Sequence, residues 1–228
     1  MITLILFLAS MLSINADNMQ KTNETTLIYV GDPMCSWCYG FGPELSKVKA
    51  AMPDDVQFQM VMGGLRPNGT QTMSELNDFL RSHWEEIHER TGQPFSYDIL
   101  DQKDFVYDTE PACRAVVTAG QIAPDKAYAF FEATQSAFYA KNKSTADINT
   151  YLGIAKELEI DESAFKSMFN SADATAATNQ DFELAGQMGV RSFPTLILKK
   201  GEEYFLLAQG YQTSDVLIRG MNQLMSDD

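Results

Sequence analysis

The sequence predicts an α/β fold in which a block of helices interrupts a sheet. Strand-like runs of β-branched and aromatic residues fall within residues 25–63 and 189–228, whereas residues 64–188 show helical periodicity with short loops. The order is therefore βαβ, helical block, ββα. This order predicts one domain assembled from 25–63 and 189–228, with 64–188 as a helical insertion.

The first segment is predicted to hold a strand, a helix and a second strand. The run from Leu27 to Gly31 predicts the first strand, and the alternation from Val56 to Met62 predicts the second. The intervening helix ends before Pro53. Pro43 is interpreted either as a first-turn proline or as a kink within a longer helix.

The remaining elements follow from caps, periodicity and turn residues. Helices are expected at 74–87, 111–121, 125–140, 148–158, 161–169 and 172–188. A hairpin is expected from two short strands, 195–198 and 204–207, joined by a turn at 199–202. A closing helix at 213–225 completes the pattern.

The motif Cys35-Ser36-Trp37-Cys38 lies where the first strand meets the first helix. One turn of helix brings two such thiols close enough to bond, and the positive end of the helix favours a thiolate. We therefore predict a redox pair. Cys35 is expected to be exposed and to form the mixed disulfide, and the more buried Cys38 is expected to resolve it.

Other uses of these thiols are disfavoured by their spacing. Structural zinc needs four ligands, but Cys113, His83 and His88 do not stand at finger-like spacing, so no metal is predicted. A purely structural disulfide across so small a loop would stabilise little. Cys113 is interpreted as a core thiol, with a third redox thiol as the alternative. Asp32 either caps the turn before the motif or relays protons.

Composition excludes several classes of partner. The chain has 228 residues, of which 45% are hydrophobic. It contains 17 Lys and Arg and 31 Asp and Glu, which gives a formal net charge of −14. A phosphate backbone or an anionic membrane would repel such a surface, so neither nucleic acid nor stable membrane insertion is expected.

The first residues resemble an export signal. The apolar run from Ile2 to Ile14 is too short to span a bilayer but fits the centre of a signal peptide, with cleavage after Ala16. We therefore predict a signal peptide at 1–16 and a periplasmic or secreted protein. No Lys or Arg precedes the run, so translation from Met19 and a cytoplasmic protein remain the alternative.

Three segments carry a resemblance to a known family: the thirteen residues 29–41 (YVGDPMCSWCYGF), the seven residues 190–196 (VRSFPTL) and the four residues 109–112 (TEPA). The chain resembles the DsbA-like branch of the thioredoxin superfamily, and within it the FrnE-type and 2-hydroxychromene-2-carboxylate isomerase-like relatives. The resemblance implies a thioredoxin-like fold with a helical domain inserted between its halves. It also implies that Pro194 is a cis-proline facing the thiols and that Phe193 shapes the substrate groove beside it. Ser36 and Trp37, between the thiols, are expected to set the redox poise and to contact substrate, with a plain packing role as the alternative for Trp37.

The function that this resemblance implies is thiol–disulfide exchange on protein substrates, in the direction of an oxidase or an isomerase. Such a protein is expected to be a monomer without a bound cofactor, using glutathione or a partner protein as its redox partner. The alternative is a glutathione-dependent isomerase or transferase, although those relatives tend to carry serine where Cys35 stands. A third class is a non-catalytic binding module that uses the groove beside Pro194.

Overall fold

The computed structural model describes residues 24–226, and its centre is a four-stranded mixed sheet. The strand order is β2-β1-β3-β4, in which β1 pairs in parallel with β2 and antiparallel with β3. The strands are β1 (Thr25–Gly31), β2 (Val56–Met62), β3 (Thr195–Lys200) and β4 (Glu203–Gln209). The last two are longer than predicted, because the ladder continues to Lys200 and Glu203 and leaves only a tight turn.

Eight α-helices surround this sheet in the described part of the chain. They are α1 (Ser36–Ala50), α2 (Met73–Thr91), α3 (Glu110–Ile122), α4 (Ala127–Tyr139), α5 (Ile148–Glu157), α6 (Glu162–Phe169), α7 (Ala172–Gln187) and α8 (Ser214–Ser226). Short 3₁₀ turns at Asp98–Asp101 and Pro124–Lys126 precede α3 and α4. The predicted α/β class and the order βαβ, helices, ββα are confirmed.

Helix α1 begins at Ser36, immediately after Cys35, and Pro43 lies inside it. A proline has no N–H, so the carbonyl of Tyr39 loses its usual helical donor. The side-chain amide of Gln93 replaces that donor, with Nε2 at 3.0 Å from the Tyr39 oxygen. The helix therefore continues through Pro43, and Cys35 occupies its N-cap.

The two faces of the sheet are covered by different helices. Leu27 and Tyr29 of β1 pack in the main core, which also contains α1 and α8 residues, whereas Ile28 and Val30 pack against Ala185 of α7. Both faces of β1 are apolar, so both must be covered. The helix that covers the second face comes from residues 64–188, and the domain boundaries drawn from the sequence stay a prediction.

A second core lies within the helical block and supports the segment that carries the dithiol motif. Its centre is Trp84 of α2, which packs against Phe138 and Tyr139 of α4. Tyr39 of α1 stacks on Tyr139 with ring centroids 4.9 Å apart, and Met34 is buried in the same cluster. The residues just before and after the two thiols are thus anchored in this core. Within residues 24–226, no helix is long and apolar enough to cross a membrane.

Candidate dithiol site

Cys35 caps α1 and lies beneath the segment that precedes β3. Its N–H donates to the Asp32 carbonyl at 3.0 Å, and its Sγ donates to the Phe193 carbonyl oxygen at 3.6 Å. The residue is 6% exposed, so the expectation of an exposed Cys35 is wrong. The sulfur is covered by the 193–194 segment, whose carbonyl accepts its hydrogen bond. The local motif does not show that a distant part of the chain packs on Cys35.

Cys38 lies one turn further along α1 and is completely buried, as predicted. Burial raises the pKa of its thiol well above the usual value, and the hydrogen bond and charge interaction with Cys35 raise it further. The backbone N–H of Asp32 and the hydroxyl of Tyr29 act in the opposite direction. Cys35 is therefore the more accessible of the two sulfurs, and the surroundings of Cys38 favour its thiol form.

The Phe193–Pro194 peptide bond is cis, as the resemblance implies. The loop is fixed on both sides: the Pro194 carbonyl accepts from the N–H of Gly210 at 2.7 Å, and the Phe193 ring lies on Gly63. A Cβ on Gly63 would stand 2.0 Å from the Phe193 ring, so glycine is required for this contact. The half-buried Phe193 side chain is thus fixed against Gly63, and the Phe193 backbone carbonyl faces Cys35. Substrate contact by Phe193 and Pro194 stays a prediction.

Trp37 and Ser36 separate the two thiols, and their predicted contact with substrate is likewise untested. Ser36 is buried, whereas Trp37 is half-buried and continues into a surface that we call the aromatic ledge, formed by Phe79, His83, Trp37 and Tyr211. Phe79 stacks on His83 with centroids 5.4 Å apart, and His83 meets Trp37 edge-on at 5.9 Å.

The sequence signal for the ledge is weak. Phe79 and His83 are four residues apart on α2, and Phe79 is 59% exposed among polar neighbours. An aromatic side chain on the polar face of a helix is the only local cue. The contact with Trp37 depends on the packing of α1 against α2, which the sequence alone does not show.

Asp32 is buried beside the motif and caps the turn, as one of its two predicted roles requires. Its Oδ1 accepts from the N–H of Met34 at 2.8 Å, and its Oδ2 accepts from the N–H of Leu65 at 2.6 Å. Burial raises the pKa of this carboxyl, and the two N–H groups partly offset that effect. The proton-relay alternative stays a prediction.

Cys113 is completely buried on α3 within the main core, as its interpretation as a core thiol requires, and the third-redox-thiol alternative stays a prediction. Its Sγ lies 3.4 Å from Oδ2 of Asp32. Burial, and then the neighbouring negative charge of Asp32, raise the pKa of this thiol well above the usual value.

The two histidines lie apart from the thiols. His83 belongs to the aromatic ledge, and Nδ1 of His88 lies 2.7 Å from the carbonyl oxygen of Gln93. In the part of the chain that the structure describes, no three His, Cys, Asp or Glu side chains form a group that could hold a metal ion.

With this geometry established, comparison with known proteins gives the family. A protein-family profile described as thioredoxin matches residues 28–219. The chain belongs to this thioredoxin family. The DsbA-like resemblance and the thioredoxin-like fold predicted from the sequence are thereby confirmed.

Similar solved structures agree on the fold. A Nitrosomonas europaea protein, provisionally described as a protein disulfide isomerase, is 33% identical, with 90% of this chain and 100% of that one covered and a TM-score of 0.82. The cytosolic disulfide reductase DsbM of Pseudomonas aeruginosa is 25% identical, with coverages of 88% and 98% and a TM-score of 0.74. A 2-hydroxychromene-2-carboxylate isomerase, at 17% identity over 88% of this chain and 96% of its own, shares the fold with a TM-score of 0.62.

Curated relatives are more distant. The ClpXP adapter protein SpxH of Bacillus subtilis is 22% identical over 86% of this chain, and that of Halalkalibacterium halodurans is 21% identical over 79%. The chain spans 66% and 61% of the lengths of these two relatives.

Proposed function

We propose that the protein is a thiol–disulfide oxidoreductase whose redox pair is Cys35 and Cys38. The observation that carries the proposal is the placement of two thiols one turn apart at the start of α1, with Cys35 held against the carbonyl that precedes the cis-proline. The orphan N–H groups at the start of a helix favour negative charge on a sulfur placed there. The description of DsbM as a disulfide reductase supports the same chemistry.

The exchange proceeds in two steps that each conserve electrons. In the oxidising direction, a substrate thiolate attacks Sγ of Cys35 in the Cys35–Cys38 disulfide, and Cys38 leaves and takes up a proton. A second substrate thiolate then attacks the substrate sulfur of the mixed disulfide, and Cys35 leaves. The substrate loses two electrons, which the pair gains as a dithiol. The reducing direction is the reverse sequence.

The aromatic ledge supports protein substrates for this exchange. Phe79 is largely exposed, although the chain is strongly acidic and most other large apolar side chains among residues 24–226 are covered. Its ring contacts lead through His83 to Trp37, which stands two residues after Cys35. Exposed aromatic surface beside a reactive group is typical of a binding site for another polypeptide.

The reduction potential of the pair is the decisive test of the activity. Equilibrating the purified protein with a glutathione redox series, and reading the dithiol fraction from alkylation mass shifts, measures this potential. A value near or above about −180 mV supports an oxidase or isomerase, and a value near about −270 mV supports a reductase. A Cys35–Cys38 pair that forms no reversible disulfide would refute the proposal.

A matched pair of variants tests the ledge. Phe79→Ser should lower kcat/KM for a reduced, unfolded protein substrate by about tenfold, because one exposed anchor is lost, and should leave exchange with glutathione disulfide unchanged. Leu206→Ser is the control, since Leu206 is 62% exposed on β4. Equal behaviour of the two variants toward protein substrate would rule out the ledge as a docking surface.

Glutathione is the second candidate partner, either as a redox partner or as the substrate of an isomerase or transferase. The guanidinium of Arg90 lies 5.5 Å from the centroid of the Trp37 ring and 5.0 Å from that of Tyr211. Among residues 24–226, no carboxylate lies within 4.0 Å of it, so this cation can meet a glutathione carboxylate. Saturable glutathione binding without a reversible disulfide couple would favour this candidate.

Direction and compartment are linked in this proposal. A reducing pair fits a cytoplasmic protein made from Met19, the compartment stated for DsbM, whereas an oxidising pair fits export. The residues on which the signal-peptide prediction rests lie outside the described part of the chain. The monomeric state is likewise part of the proposal, and sedimentation of the purified protein tests it.

A further inference from the structure

The hydroxyl of Tyr29 is a buried polar group without a partner. Tyr29 is completely buried in β1, and its hydroxyl makes no hydrogen bond of normal geometry with any residue that the structure describes. A buried hydroxyl left unpaired is costly, and most buried polar groups in native proteins are paired. Its position therefore requires an explanation from the chemistry around it.

The ring is held in place from three sides. It stacks on Phe41 with centroids 6.2 Å apart, and it meets Phe131 edge-on at 5.7 Å. On the third side it lies over Gly31, where a Cβ would stand 2.6 Å from the hydroxyl oxygen. Only glycine at position 31 leaves room for the ring in this orientation.

This orientation brings the hydroxyl to Cys38. Tyr29 and Cys38 lie in the same buried cluster, and Phe41, on which the ring stacks, follows Cys38 by one turn of α1. The hydroxyl acts to lower the pKa of Cys38 and the thiol acts to raise that of Tyr29, although burial is the larger effect on both. The second donor that faces the sulfur is the backbone N–H of Asp32. A thiolate at Cys38 would thus meet two donors, whereas the thiol leaves the hydroxyl without a suitable acceptor.

We propose that Tyr29 is a positioning residue that stabilises the thiolate of Cys38 during resolution of the mixed disulfide. The inference rests on the proposed function. Cys38 gives its proton to solvent and attacks Sγ of Cys35. The new S–S bond forms as the bond between Cys35 and substrate breaks, and the substrate leaves as a thiolate that takes up a proton. The Tyr29 hydroxyl donates a hydrogen bond to the thiolate once it has formed and transfers no proton.

Among residues 24–226, few other titratable groups face this sulfur. Cys35 faces it from the start of α1 and Tyr29 from β1, whereas Asp32 presents only its backbone N–H to it. Tyr128 of α4 faces Tyr29 rather than Cys38. A change in the pH dependence of resolution on removing one hydroxyl therefore reports on Cys38.

The test uses Tyr29→Phe, which keeps the ring and removes only the hydroxyl. The full-length protein is loaded with glutathione at Cys35, and resolution is followed by acid quench and mass measurement across a pH series. The variant should resolve about tenfold more slowly at neutral pH, with its rate–pH curve displaced upward by about one pH unit. Formation of the mixed disulfide at Cys35 should stay at the wild-type rate.

Two further variants make the result specific. Tyr128→Phe is the matched control, because Tyr128 packs on Phe131 in the same cluster but its hydroxyl lies 3.3 Å from that of Ser46. This variant should resolve normally. Gly31→Ala should slow resolution although the hydroxyl is retained, because the new methyl group displaces the ring.

Two outcomes separate this inference from the proposed function. A folded Tyr29→Phe protein with the wild-type rate and pH profile would overturn the role of Tyr29 and leave the redox pair standing. A wild-type protein that never forms a mixed disulfide at Cys35 would overturn both.

Discussion

The three thiols of the chain lie in two regions that share one neighbour, Asp32. Its main chain faces the pair: the carbonyl accepts from the N–H of Cys35, and the N–H faces the sulfur of Cys38. Its side chain faces the other way, with Oδ2 at 3.4 Å from Cys113. All three cysteines are buried, so burial alone does not separate them.

The difference between the regions is the sign of the charge that Asp32 presents to each sulfur. A backbone N–H favours a thiolate, and the pKa of Cys38 is lowered by it, although burial outweighs the effect. A carboxylate disfavours a thiolate, and it adds to the burial that raises the pKa of Cys113. One residue therefore supports ionisation at the start of α1 and opposes it at α3.

The largest expected effect comes from removing one thiol from each region. Cys35→Ser should abolish disulfide exchange to the uncatalysed background, because a hydroxyl cannot form the mixed disulfide. Cys113→Ser should retain the wild-type rate, since Cys113 lies on α3 beside the Asp32 carboxylate and outside the proposed redox pair. A standard assay of disulfide exchange with each variant measures both. A loss of activity in a folded Cys113→Ser protein would mean that the two regions do not act separately.

A smaller effect is expected when Asp32 becomes Asn. Both carboxylate oxygens accept buried N–H groups, from Met34 and Leu65, so the amide nitrogen must face one of these donors. The free energy of unfolding should fall by about 2 kcal/mol, as measured by urea denaturation. Unchanged stability would show that the cap of this turn contributes nothing.

The same substitution removes the charge that raises the pKa of Cys113, so alkylation of Cys113 should begin at lower pH.

The sequence predicted the elements and the redox pair because their signals are local. The motif, the turn residues and the periodicity of β1 each depend on neighbours in the chain. Cys35 is covered by Phe193, which lies 158 positions away in the chain. The contact of the Asp32 side chain with Cys113 depends on where α3 packs. In the sequence, Tyr29 has only the signature of a core aromatic in a strand, because an unpaired hydroxyl is visible only once its surroundings are known.

Asp181 provides the comparison carboxylate, since it accepts one backbone N–H, that of Met62 at 2.9 Å, and lines a groove away from the thiols. Burial raises its pKa to about 6, so the folded state holds a proton more tightly than the unfolded chain. The stability that comes from this tighter proton binding is therefore fully present below the unfolded pKa of about 3.9 and is lost as pH rises through about 6.

Asp181→Asn keeps an acceptor for Met62 and removes this titration. The advantage of the variant over wild type in free energy of unfolding should grow by about 1 kcal/mol between about pH 5 and about pH 8, as measured by urea denaturation. A constant difference at both pH values would trace the effect to the hydrogen bond rather than to the charge. Because no N–H donor among residues 24–226 meets the second carboxylate oxygen of Asp181, asparagine fits here, whereas at Asp32 both oxygens accept N–H groups.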